Sequence, residues 1–194
     1  MPSVHLVGPA PTGWGEAWFT EDRRYRWKLR RSWPPALGGA ERGAVFAMCN
    51  PSDASHRRDD ATVRRCAGYA KAWGCAYFEA VNLSPKVAHR PPVMLADLAA
   101  AGDPPWWHEE NMRTIVATCA GVDAPAQPLV VLAWGGIATR PAVAPLAALV
   151  RDRLALEGIP WHALGFTKDG EPKHPLFQPA AAPLLTADGQ PWPF

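Results

Sequence analysis

The sequence predicts an α/β chain, a three-layer α/β/α sandwich around a mainly parallel central sheet of about four strands. Two observations predict it. Four short apolar runs, at 45–49, 76–81, 129–134 and 160–164, each end in polar or turn-forming residues, as buried strands do. Stretches of helical period lie between them, and strands joined by helical crossovers run parallel. One domain over residues 1–194 is expected, with a basic strand region at about 20–34 and a Pro/Ala-rich tail at about 177–194.

The first core strand, Val45-Phe46-Ala47-Met48-Cys49, stops at Asn50-Pro51. Pro51 cannot donate to a sheet ladder and holds Asn50 extended, so a polar loop with Ser52 and Asp53 follows. In open α/β sheets ligands bind beyond the carboxyl ends of the strands, which places Asn50, Ser52 and Asp53 where chemistry is expected. The plainer alternative for them is an ordinary strand-to-loop turn. Asp59 or Asp60 caps a helix whose apolar stripe is Val63, Cys66, Ala67, Ala70 and Trp73, and Gly74 closes it. The second strand ends at Asn82, before Pro85. A short helix from Val93 to Ala101 follows, then one from about Trp106 to Cys119 opened by Pro104-Pro105. Leu129 to Trp134 is the third strand, turned by Gly135-Gly136, with a helix from about Ala142 to Glu157 after it. The fourth strand, Pro160 to Leu164, leads into a polar loop containing Lys168 and His174.

Residues 1–20 are rich in Gly, Pro and Trp and show no period. From Arg24 to Arg30, cations at Arg24, Arg26, Lys28 and Arg30 alternate with Tyr25, Trp27 and Leu29, the period of a strand with one wet face. Such a row either protects a sheet edge or tracks a phosphate backbone.

With 48% hydrophobic and 20% charged residues, the composition is that of a globular protein. No segment has transmembrane length and the N-terminus lacks a signal-peptide pattern, so a cytoplasmic chain without a membrane partner is expected, and a monomer. Cys49, Cys66, Cys75 and Cys119 show no C-x-x-C spacing, so neither a metal site, a cofactor nor a disulfide framework is expected; an iron–sulfur cluster is the weaker alternative. Through Cys75 there are twelve Lys/Arg against seven Asp/Glu, and beyond it eight against eleven. The basic front suits a polyanion, or is a solvated face. Ten tryptophans either stack bases or fill the core.

The motifs Asn50-Pro51-Ser52, Asp59-Asp60-x-Thr62-x-Arg64-Arg65-Cys66, Val81-Asn82-Leu83, Trp134-Gly135 and Thr167-Lys168-Asp169-Gly170-x-Pro172-x-His174-Pro175 look like a small bacterial and phage domain family of unknown function, over about Tyr25 to Pro179. Their order is also remotely similar to the uracil-DNA glycosylase superfamily. That superfamily has an Asp-Pro or Asn-Pro after the first core strand and an Asn ending the second. It has a later apolar strand and a His-Pro loop near the end. Leu176 stands where it has a serine after His-Pro.

This resemblance implies a uracil-DNA-glycosylase-like fold and hydrolysis of an N-glycosidic bond. Such a reaction separates an oxocarbenium sugar from an anionic base. It needs a group that holds water and tolerates positive charge, and donors on the departing base. By resemblance Asn50 positions water, Asn82 pairs with the base edge and His174 donates to the base carbonyl. An amide is a poor base, so Asp53, Asp59 or Asp60 is expected as a nearby carboxylate. Asn50, Asn82, Trp134 and His174 are expected around one pocket, with Gly135 beside them and Asp59 or Asp60 at the rim. Lys168 either contacts phosphate, attacks the sugar as an amine, or sits in a plain turn. Arg24, Arg26, Lys28, Arg30, Arg64 and Arg65 are the expected phosphate contacts.

Three functions fit. One is a DNA glycosylase acting on a base flipped from a duplex. The others are a nucleoside- or nucleotide-processing enzyme of the same fold and a non-catalytic nucleic-acid-binding module. In uracil-specific relatives a tyrosine follows the first motif's proline and excludes C5 substituents; here that position is Ser52. Unpaired polar groups at Ser52 and Asp53 would favour a hydroxymethylated or glycosylated pyrimidine of the kind phages carry, and hence a role in anti-phage defence. Ser52 as a simple turn cap is the alternative.

Overall fold

The computed structural model describes residues 3–34, 42–102 and 105–193. Its centre is β4 (Gly43–Met48), buried along its whole length. Val45, Ala47 and Cys49 face one side of the sheet, and Ala44, Phe46 and Met48 face the other. Both faces are covered, which is why this strand reads as a continuous apolar run rather than an alternating one. β4 pairs in parallel with β5 (Tyr77–Asn82) and with β6 (Leu129–Leu132), and β6 pairs in parallel with β7 (Trp161–Ala163). All four expected core strands are therefore present and run the same way.

The expectation of a mainly parallel sheet of about four strands is corrected. Among the described residues the sheet has eight strands in the order β1-β2-β3-β5-β4-β6-β7-β8, and four of its seven pairings are antiparallel. The additions are β1 (Ser3–Ala10), β2 (Gly13–Thr20) and β3 (Arg26–Ser32) on one flank and β8 (Leu185–Thr186) on the other. The β1–β2 hairpin lies in the stretch where no period was legible. Gly8, Pro9, Gly13 and Gly15 depress strand propensity there. Gly15 answers a tertiary demand, because a Cβ at this position would lie 1.9 Å from the His56 carbonyl oxygen.

Helices α2 (Pro91–Ala100), α3 (His108–Ala120) and α4 (Ala144–Leu156) pack on the Val45 face. On the Phe46 face lie α1 (Ala61–Ala72) and the tail residues Leu184 and Trp192, so this outer layer is one helix with an extended tail. α1 starts as its sequence requires. Asp60 is extended (ψ −179°), and its side chain accepts from the Val63 N–H at 2.7 Å. Gly74 takes φ +71° just past the end. Pro104, expected to open α3, lies outside the described residues. Cys49 and Cys119 sit on one face of the sheet and Cys66 and Cys75 on the other, which separates the thiols that an iron–sulfur cluster would have to gather. No helix among the described residues is long and apolar enough to cross a membrane.

One irregularity reorganises the basic strand. The β2–β3 register shifts between Trp18 and Phe19: Trp18 pairs with Lys28 but Phe19 pairs with Arg26, leaving Trp27 as the extra residue of a β-bulge. The bulge inverts the side-chain phase. Trp27 packs on the α3 face while Leu29 packs on the α1 face, although the two are two residues apart. The expected single wet face of Arg24, Arg26, Lys28 and Arg30 does not form.

Candidate functional site

A cavity of about 580 Å³ opens at the carboxyl ends of the parallel strands. β4 delivers Met48, Cys49 and Asn50 to its wall, and the turn after β6 delivers Trp134, Gly135 and Gly136. Asp60, Thr62 and Val63 come from the start of α1, and Thr167, Lys173 and His174 from the loop after β7. The volume lies within the roughly 300–1,000 Å³ of small-molecule sites and exceeds what a planar base alone fills. Of the four residues expected around one pocket, Asn50, Trp134 and His174 line this cavity, because parallel strands end on the same edge, and Asn82 does not.

Asn50 is oriented by its surroundings. Nδ2 donates to the Pro51 carbonyl at 3.0 Å and to the Ala88 carbonyl at 2.8 Å. Both N–H groups are thereby engaged, and the amide offers a ligand its oxygen, an acceptor suited to holding water.

The three candidate carboxylates separate cleanly. Asp60 lines the cavity, and besides capping α1 it accepts the Ser52 hydroxyl. Asp59 is buried and committed elsewhere: Oδ1 takes the Arg31 Nε–H at 2.7 Å and Oδ2 the Thr12 N–H at 2.9 Å. Asp53 turns outward, 3.1 Å from Arg58 Nη2 and 3.8 Å from His89 Nδ1, and is not part of the wall. Ser52 does line the wall, but its hydroxyl is taken by Asp60. The expectation of an unpaired Ser52–Asp53 pair is corrected: the polar unit facing the cavity is Ser52 with Asp60.

His174 caps a short 3-10 turn, Pro175–Phe177, and its Nδ1 accepts from the Leu176 N–H at 3.3 Å. A ring accepting at Nδ1 carries its proton on Nε2, so its free end is a donor. Burial pushes the imidazole below its usual 6.5, against the opposing pull of Asp60, and keeps it neutral at pH 7. Gly135, at φ +76°, lets the backbone pass close to this histidine; a Cβ there would stand 3.3 Å from the His174 Cβ. Trp134 is fixed by a 2.7 Å bond from Nε1 to Glu171 Oε2, which also takes Arg151 Nη2 at 2.5 Å.

Two predicted residues are displaced from the wall. Lys168 is exposed in the Thr167–Gly170 turn, and Lys173 is the lysine lining the cavity. Asn82 is 1% exposed beside Met48, its parallel register partner, with both ends of its amide lacking a protein partner among the described residues. It lies behind the wall rather than in it.

The basic residues divide likewise. Lys28 and Arg30 lie on the α3 face, paired with Glu79 at 3.2 and 3.6 Å, and Lys28 covers the Trp18 ring. Arg24 is exposed, as is Arg64 on α1, and Arg65 is half-buried beside it. Arg26 is the residue that sequence reasoning misplaced. It is 2% exposed and lines the cavity, because the bulge turns it inward. No sequence signal separates it from its neighbours, since the alternation places it with Lys28.

The cavity, mostly apolar with a few convergent polar groups, stands at the carboxyl ends of the parallel strands, the place where open α/β sheets bind ligands. The chain belongs to the family described as protein of unknown function DUF1643, which matches residues 26–176. No curated protein and no solved structure matches it. The matched span holds every wall residue named above and leaves out the β1–β2 hairpin.

Proposed function

We propose that the chain hydrolyses the N-glycosidic bond of a pyrimidine nucleotide, with the base received in the cavity and a C5-substituted base in DNA as the substrate. The observation that carries this reading is the convergence of Asn50, Asp60 and His174 on one cavity, with an acceptor, a carboxylate and a neutral donor in place. Four central parallel strands with helices on both faces are what a uracil-DNA-glycosylase-like arrangement requires.

In this reading Asn50 accepts from the attacking water and Asp60 takes a water proton and faces the developing sugar cation. The water oxygen bonds C1′ as the C1′–N1 bond breaks, and the electron pair passes to the base. His174 Nε2–H donates to a base carbonyl oxygen. The base leaves neutral after taking up a proton, and an abasic site remains. The room beside Ser52 and Asp60 is the space for a C5 hydroxymethyl or sugar, which is consistent with a role against phage DNA.

A second reading, a free nucleoside or nucleotide as substrate, is favoured by the fate of the basic strand. Arg26, Lys28 and Arg30 are buried or ion-paired, so of the expected DNA contacts the first reading keeps Arg24, Arg64 and Arg65. The test is incubation with duplexes carrying uracil, thymine or C5-hydroxymethylated and glucosylated pyrimidines, and with the matching nucleosides, followed by mass spectrometry for released base. Release from modified duplexes, and its loss in Asp60→Asn, supports the first reading. Release from nucleosides alone selects the second, and no release from either overturns both. Asn caps helices as well as Asp does, so Asp60→Asn removes the charge with little effect on stability.

A further inference from the structure

Arg26 and Arg31 lie on one strand, are 2% and 0% exposed, and reach the same loop. Their partners differ. Arg31 is bonded at all three nitrogens: Nε donates to Asp59, Nη1 to the Arg30 carbonyl at 2.9 Å, and Nη2 to the Ser55 carbonyl at 2.5 Å. Arg26 makes one such bond, from Nη1 to the Ala54 carbonyl at 2.7 Å, and its buried Nε–H has no protein acceptor among the described residues. A buried guanidinium without a salt-bridge partner is costly, and such a cation on a cavity wall points to a ligand that supplies the countercharge. Burial lowers its pKa to about 10, and the negative charge of Asp60 works the other way, so it is a cation at neutral pH.

We propose that Arg26 is a catalytic residue that receives the negative charge developing on the departing heterocycle. The inference rests on the N-glycosidic reading. As the C1′–N1 bond breaks, its electron pair delocalises from N1 onto the carbonyl oxygen beside it. A guanidinium buried in the cavity wall stabilises that oxyanion and leaves the starting nucleotide, which is neutral there, less affected. Arg26 and His174 then share the departing base, one as a charge and one as a neutral donor, while Asp60 faces the sugar. The same oxyanion chemistry has a second source, the phosphate of a free nucleotide.

The experiment measures single-turnover release from duplexes in which one deoxyuridine bears methyl, hydroxymethyl or fluorine at C5, a series of rising leaving-group acidity. Wild type is expected to depend weakly on that acidity. Arg26→Gln should slow release by roughly 10²–10³-fold for the poor leaving groups, the scale of a missing oxyanion donor, and far less for the fluorinated one. Arg26→Lys, which keeps the charge but not the fork, should fall between them, and replaces the Gln variant if that one does not fold. Equal slowing across the series means a structural role and overturns the proposal. If wild type releases no base, the N-glycosidic reading fails by itself. Calorimetry with 5-fluorouracil and with a deoxynucleoside 5′-monophosphate then decides. Binding of either that disappears in the Arg26 variant keeps Arg26 as an oxyanion receptor, the nucleotide alone indicating phosphate. Unchanged binding in the variant, or none in wild type, overturns it.

Discussion

His174 shows how one side chain couples site chemistry to stability. Its Nδ1 accepts from Leu176 N–H and burial disfavours the protonated ring, so the folded state holds the neutral form. In the unfolded chain the ring titrates near 6.5. Below that pH the unfolded state binds a proton that the folded state resists, and stability falls with falling pH; above it the effect vanishes. His162, also buried and shifted downward, acts in the same direction. We expect the urea midpoint of wild type to drop between about pH 7.5 and about pH 5.5, and His174→Gln to recover part of that drop while His162 and His56, also shifted downward, keep their share. An unchanged midpoint difference in His174→Gln would show that its ring is solvated in the folded state. Asp60 is the other residue with two duties, capping α1 and facing the cavity, and its neighbour Asp59 shows why adjacency in sequence was a poor guide. Asp59 is spent on a buried pair with Arg31, of the kind whose breakage costs roughly 3–5 kcal/mol.

At the scale of elements, the bulge in β3 decides which cations are available. Lys28 and Arg30 neutralise the buried Glu79 and stack on Trp18 and Tyr77, so their work is structural. Arg64 and Arg65 project from α1, whose first turn forms part of the cavity. If DNA is the substrate, Arg64→Glu with Arg65→Glu should reduce the slope of log affinity against log salt by about 2, about 1 for each phosphate no longer neutralised. Lys28→Glu with Arg30→Glu should leave that slope unchanged and lower the melting temperature, because two new carboxylates would crowd the buried Glu79. Filter binding over a salt series with the paired melting curves checks both. A flattened slope in the β3 variant would restore that strand as a phosphate-binding element.

Across the whole molecule, the β1–β2 hairpin lies outside the family-matched span yet buttresses the site. Gly15 on β2 touches the His56 backbone, in the loop whose Ala54 carbonyl holds Arg26 and whose Ser55 and Arg58 carbonyls hold Arg31. Gly15→Ala places a methyl against backbone that cannot rotate away, and should cost about 1–3 kcal/mol in urea unfolding as that loop is displaced. A variant of wild-type stability would mean that the loop gives way freely. The central strands were legible from residues alone, since a run such as Val45 to Met48 has only one way to bury both of its faces. So was the meeting of Asn50, Trp134 and His174, which follows from strands that run parallel and end on one edge. The choice of Asp60 over Asp53 and Asp59 was not legible, nor was the inward turn of Arg26. Those depend on a one-residue shift in strand register and on which backbone carbonyls a distant loop presents. Local pattern carries the period of a strand, but its phase relative to the rest of the fold is set by pairing with β2, an association between segments that only tertiary structure brings together.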